Sequence, residues 1–220
     1  MPVPEMSVAV ILSAPRPAPA GHPIASLKRS RMSKRNPTEQ DLAAFSNLEI
    51  TETGYSFDGP SGRVRFENVV PGEEVFRSEM LGVLNISLAW RNIHRSGQSP
   101  MTVPINASLR NNISQLEYDH DVVKAMTLQR RDEPVLMLIT FNGLNTIDGA
   151  HRLKRRIRDK LPSVQAFILP PTVLREIQVR MFEQQDGVWQ QVSGLSDESL
   201  AEHIRQAKLV EAMIFRGPGR

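Results

Sequence analysis

Pro134-Val135-Leu136-Met137-Leu138-Ile139-Thr140-Phe141 is a continuous apolar run with Glu133 before it and Asn142-Gly143 behind it. A strand covered on one face alternates apolar and polar residues. An unbroken run of this length predicts a strand buried on both sides. Asn142-Gly143 predicts a turn into a short strand from Leu144 to Ile147. Asp148-Gly149-Ala150-His151-Arg152 then breaks the strand and opens a basic helix from Ala150 to Lys160, with Leu153, Ile157 and Leu161 as its buried stripe. Pro162 ends that helix, Ser163 to Leu169 predicts another strand, and Pro170-Pro171 closes the unit.

Working outward, Met101 to Ile105 predicts a short strand, and Tyr118 to Leu128 a helix with Val122, Val123 and Met126 on one face. Thr38 is suited to cap a short helix reaching Phe45. Tyr55-Ser56-Phe57 and Val64-Arg65-Phe66 flank a turn-rich Asp58-Gly59-Pro60-Ser61-Gly62 and predict a hairpin. Glu79 to Ile93 fits either period, since Leu81, Leu84 and Leu88 suit a helix while Leu84, Ile86 and Leu88 suit a strand. Thr172 to Phe182 and Ser196 to Phe215 predict two closing helices, the second capped by Ser196. The expected fold class is therefore α/β (α+β), a small mixed sheet with helices. Its divisions are a Pro-rich and basic tail over 1–40, a β-rich extension over 41–100, a core over 101–171 and a helical segment over 172–220.

Forty per cent hydrophobic residues in 220 supply a real core. With no cysteine, disulfides, thiolate metal sites and a cysteine nucleophile are excluded. The net charge is only +3, but basic residues cluster at 28–35 and 152–160, where they would attract phosphate-rich partners. The apolar run Val8 to Ala14 is short and follows Glu5, which argues against a signal peptide, and no window is long enough to span a bilayer. A cytoplasmic protein with no membrane partner is expected, with Met6 and Met32 as alternative starts.

The site chemistry lies in the break after the second strand. Gly149 lets the backbone turn sharply and approach a ligand with no side chain in the way. The N–H groups at the start of the helix favour an anion, and His151 and Arg152 add donors to the same end. Asp148 is placed to cap the helix, to hold Arg152, or to reach a metal ion or ribose hydroxyl. The phosphate-binding set is Asp148, Gly149, Ala150, His151 and Arg152. Arg155, Arg156 and Arg158, further along the helix, are candidate nucleic-acid contacts. Glu117, Asp119 and Glu133 are candidate catalytic carboxylates, either as general base or as holders of Mg²⁺. The competing reading makes these acids helix-terminal charges that complement the dipole. No metal ligand set is specified by spacing.

Asp148-Gly149-Ala150-His151-Arg152 resembles the D-G-x-H-R signature of the ParB/sulfiredoxin-like superfamily, over roughly residues 101–170. The resemblance implies a small α/β core whose loop binds nucleotide phosphates. The order of elements agrees: the strand of Val103-Pro104-Ile105, a helix at 119–128, the strand from Glu133-Pro134-Val135, the motif, and the strand 164–169. Departures narrow the activity. Sulfiredoxins carry a cysteine in this loop, where position 150 is Ala. Partition proteins carry G-E-R-R, whose Glu is linked to CTP hydrolysis, where this chain has Gly149-Ala150-His151-Arg152. No helix-turn-helix pair is evident after Pro171. Free-serine kinases of the superfamily have the closer D-G-H-H-R loop and also need an upstream carboxylate.

The leading expectation is a ParB-like domain that binds a nucleotide phosphate in a nucleic-acid context, with NTP-hydrolysing or DNA-cleaving activity like that of plasmid- and phage-borne members. A nucleoside triphosphate with Mg²⁺ is the candidate cofactor, DNA a candidate partner and a homodimer a candidate assembly. The alternatives are a small-molecule kinase or phosphotransferase with the same loop, and a non-catalytic nucleotide- or DNA-binding regulatory module.

Overall fold

In chain order the elements of the computed structural model, which describes residues 36–114 and 118–216, are α1 (Glu39–Leu42), β1 (Ser46–Ile50), β2 (Gly54–Gly59), β3 (Gly62–Glu67), β4 (Val75–Ser78), β5 (Gly82–Asn85), α2 (Ile86–Ser96), β6 (Met101–Pro104), α3 (Ala107–Ser114), α4 (His120–Ala125), α5 (Leu128–Asp132), β7 (Val135–Thr140), β8 (Gly143–Asp148), α6 (Ala150–Arg158), β9 (Ser163–Leu169), α7 (Leu174–Ile177), β10 (Arg180–Gln185), β11 (Val188–Ser193) and α8 (Asp197–Arg216). The class is mixed α/β, as expected. No helix among the described residues is long and apolar enough to cross a membrane.

The central sheet runs β6-β9-β7-β8, with β7 parallel to β9 and antiparallel to β8. All six residues of β7 are buried. Its alternation divides two cores: Leu136 and Leu138 face one cluster with Ile86, Ala89, Ile93, Leu174, Leu200 and Ile204. Val135, Met137 and Ile139 face another with Leu109, Ile113 and Leu153. Helices α2, α7 and the first half of α8 thus cover one face, and α3 and α6 the other, where Val210 and Ile214 of α8 also pack. That two-sided cover is why the run from Pro134 is apolar throughout.

A second sheet, β1-β2-β3-β10-β11, draws strands from both ends of the described chain. The hairpin expected around Gly59 is β2 and β3, paired from Gly54↔Glu67 to Gly59↔Gly62. Tyr55, Phe57 and Phe66 pack with Leu42, Val69 and Val179 beneath this sheet. Thr38 caps α1 in a reciprocal capping box with Asp41. The ambiguous stretch is both things in turn: β5 ends at Asn85, whose side chain accepts from Leu88 N–H at 2.9 Å and starts α2.

Three expectations are corrected. Thr172 to Phe182 is not one helix: a 3-10 turn and α7 end at Ile177, and β10 begins at Arg180. Gln178 leaves helical geometry because its backbone bridges Leu84 while Arg180 to Glu183 pair with β3. The segment after Pro171 is therefore not wholly helical, and the β-rich extension is completed by the β10–β11 hairpin. The helix expected from Tyr118 stops at Ala125, because Met126 is extended and the Thr127 side chain caps a new helix, α5. Val122 lies outside, 39% exposed, while Val123 and Met126 are buried. Helix α3, which was not anticipated, is capped by Asn106, whose side chain accepts from Leu109 N–H at 2.9 Å.

Candidate functional site

Strand β8 delivers Asp148 to the edge of the sheet, and Gly149 turns the chain into α6 with φ +87°. Only glycine adopts this at no steric cost. A Cβ here would also stand 2.7 Å from Val135 Cγ1 and 2.8 Å from Arg152 Nε. No side chain caps the helix start, which leaves the positive end of a nine-residue helix for another acceptor.

The Asp148 carboxylate accepts from Gly149 N–H at 2.6 Å, from the Trp90 indole at 3.2 Å and from Arg152 Nη2 at 3.0 Å. Arg152 Nη1 donates to Glu133 Oε2 at 3.2 Å. The guanidinium is therefore shared by two carboxylates, and its side chain is only 16% exposed. Its Nε is buried without a hydrogen-bond partner among the described residues. His151 is oriented by the backbone, with Asp119 N–H donating to its Nε2 at 3.1 Å. An imidazole that accepts at Nε2 carries its proton on Nδ1, so this contact selects one neutral tautomer.

The fold thus gathers Asp119 and Glu133 at the Asp148–Arg152 turn. Asp119 is also the cap of α4, its Oδ1 accepting from Asp121 N–H at 2.9 Å and Val122 N–H at 3.4 Å. Glu133 is the half-exposed C-cap of α5. Glu117 lies outside the described residues, as does the basic cluster at 28–35. Among the described residues no group of three or more His, Asp and Glu side chains is placed to hold a metal ion. The residues fit Mg²⁺ only as an ion carried by phosphates and completed by one or two carboxylates, since Asp148 is already occupied and Glu133 is engaged through one oxygen.

The basic helix proves to be internally knitted. Arg155 Nη1 donates to the carbonyls of Val123, Lys124 and Met126 at 2.9–3.3 Å, closing the C-terminus of α4, and its Nε reaches Asp159. Arg156 donates to the Ser163 carbonyl and to Asp132. Both side chains are at most 17% exposed. Of the three arginines expected to meet nucleic acid, only Arg158 is exposed. Arg155 and Arg156 instead hold α4 and α5 against α6, and the charge of Asp159 is favoured by Arg155 and Arg131, which lower its pKa.

Three side chains at the site escaped sequence reasoning. Trp90 packs edge-on against Phe167 at 5.4 Å, as a core residue would, but its N–H serves Asp148. A buried indole needs an acceptor, yet nothing in the sequence says which of the acids supplies it. Lys154 Nζ lies 4.1 Å from the Tyr118 ring centroid, and partial burial pushes its pKa down. Tyr118 in turn contacts His120 at 4.5 Å.

Comparison with family models, curated proteins and solved structures finds no match to this chain.

Proposed function

We propose that the Asp148–Arg152 turn binds a phosphate group of a nucleotide. The observation that carries this reading is the left-handed Gly149, which brings an uncapped helix start to the edge of the sheet beside His151 and Arg152. Glu133 stands at the rim, where its carboxylate would meet Mg²⁺ carried in with the phosphates or accept a proton from an attacking nucleophile, while Asp119 reaches the turn through its backbone N–H. NTP hydrolysis in a nucleic-acid context is the leading activity, with Arg158 and the basic residues 28–35 as the DNA contacts. DNA cleavage, or transfer of the phosphate to a small molecule, would use the same loop.

A second reading, a regulatory module without turnover, is favoured by one feature: the guanidinium of Arg152 is already neutralised from two sides. The test is titration of fluorescent nucleotides with and without Mg²⁺ against the full chain and its His151→Ala and Arg152→Ala variants, with unfolding curves to confirm that each variant is folded. Weakened binding in both variants supports the site; affinity unchanged in both removes it. Turnover by the intact protein then separates the catalytic from the regulatory reading. DNA affinity that falls steeply with salt would favour the nucleic-acid context over a small-molecule acceptor.

A further inference from the structure

We infer that Glu133 competes with the incoming phosphate for the same edge of Arg152, so that phosphate binding itself releases the Glu133 carboxylate into the site. This inference rests on the phosphate-binding reading of the loop.

The nitrogens of Arg152 have unequal surroundings. Nη2 is tied to Asp148 at 3.0 Å, and Asp148 is fixed in turn by Trp90 and by the N–H of Gly149. Nε is buried and packs over Gly149, 2.8 Å from where a Cβ would stand, with no acceptor among the described residues. Nη1 alone meets an exposed partner, Glu133, whose side chain is 51% accessible.

Glu133 is therefore the replaceable partner. From the C-cap of α5, a helix of five residues, it accepts through one oxygen at 3.2 Å. Asp148 has three donors and stays. A phosphate oxygen suits the guanidinium at least as well as a carboxylate, and two anions cannot share Nη1 without strong mutual repulsion. In the empty protein the pair keeps Glu133 neutralised. Once phosphate takes Nη1, the displaced carboxylate stands beside the bound phosphates, where a metal ion or a nucleophile's proton would need it. Arg152 thus couples occupancy of the loop to the availability of the acid.

The experiment is calorimetric titration of the full chain with ATP and with inorganic pyrophosphate, both in EDTA so that no metal assists. Glu133→Gln removes the competing charge and keeps the shape; Glu133→Asp shortens the reach by one methylene. Thermal unfolding of each variant checks the fold. The expected result is about tenfold tighter binding of both probes by Glu133→Gln, a smaller gain for Glu133→Asp, and loss of the gain when Arg152→Ala is added. Equal affinities in wild type and Glu133→Gln would overturn the competition and leave the loop reading standing. Weaker binding by Glu133→Gln would also overturn it, since Glu133 would then hold the ligand. Absence of binding in every form would remove the phosphate reading and this inference together.

Discussion

The Trp90 indole donates to Asp148 Oδ2 at 3.2 Å, joining the middle of α2 to the turn after β8. One residue belongs to the helix layer on one face of the sheet, and the other opens the helix on the opposite face. Trp90→Phe keeps the ring against Phe167 and deletes only the donor. About 1 kcal/mol of stability is expected to be lost, measured by denaturant unfolding. A fall in nucleotide affinity beyond that of a remote, equally destabilising variant would show that the bond also holds the site in shape.

Gly149→Ala is expected to be severe for its size. The methyl would sit 2.7 Å from Val135 Cγ1, and the left-handed backbone would strain any residue with a Cβ. A loss of about 2 kcal/mol or more is anticipated, visible as a lowered Tm. A variant as stable as wild type would mean that the turn relaxes freely, contrary to its packing.

Arg155→Ala removes a charged donor from the carbonyl end of α4 and is expected to cost about 2 kcal/mol. It should leave the salt dependence of any DNA binding unchanged. Arg158→Ala should behave oppositely, with stability unaltered and the salt slope reduced by about one. A shallower slope in Arg155→Ala would show that this side chain leaves its carbonyls for DNA.

Burial pushes the His203 pKa below its ordinary value of 6.5, with the ring packed edge-on against Phe141 at 5.2 Å. The unfolded chain therefore takes up a proton at a pH where the folded protein does not. Stability should fall as pH drops through 6.5 towards the depressed folded pKa, and be flat in this respect above it. Unfolding curves between pH 7.5 and about 5.5 test this, and His203→Phe should flatten the slope. That window stays clear of Glu202, held down to about 2 by Arg205 and Gln206, whose contribution is lost only as pH falls from 4.5 towards about 2.

Much of the central sheet was legible because its signals are local and agree with one another. The apolar run from Pro134, the Asn142-Gly143 turn and the Gly149 break each name their structure without help from distant residues. The second sheet was only half legible. Val179 and Met181 alternate with polar residues, and Asp186-Gly187 is a two-residue hairpin turn with both φ values positive, so β10 and β11 could have been found. What masked them was a helical period in Leu174 and Ile177 that continues plausibly until tertiary pairing with β3 overrides it. At the site, the loop and its attendant acids were visible, while their division of labour was not. Whether Arg155 points to solvent or to the Val123 carbonyl depends on where α4 docks, and no spacing encodes that. The same holds for Trp90, whose partner lies 58 positions away.

The pairing of Glu67 with Arg180 and of Phe66 with Met181 has a consequence for how the chain acquires its shape. Strand β3 leaves the ribosome early and waits for a partner made more than a hundred residues later, so closure of this sheet carries the loop entropy of the entire intervening core. Until then Val64 and Phe66 sit on an unpaired edge, which is the kind of surface that seeds aggregation. The central sheet, whose strands β7, β8 and β9 are near neighbours in sequence, is free to condense first. Chains cut short before Arg180 should therefore leave β3 unpaired and clump through it.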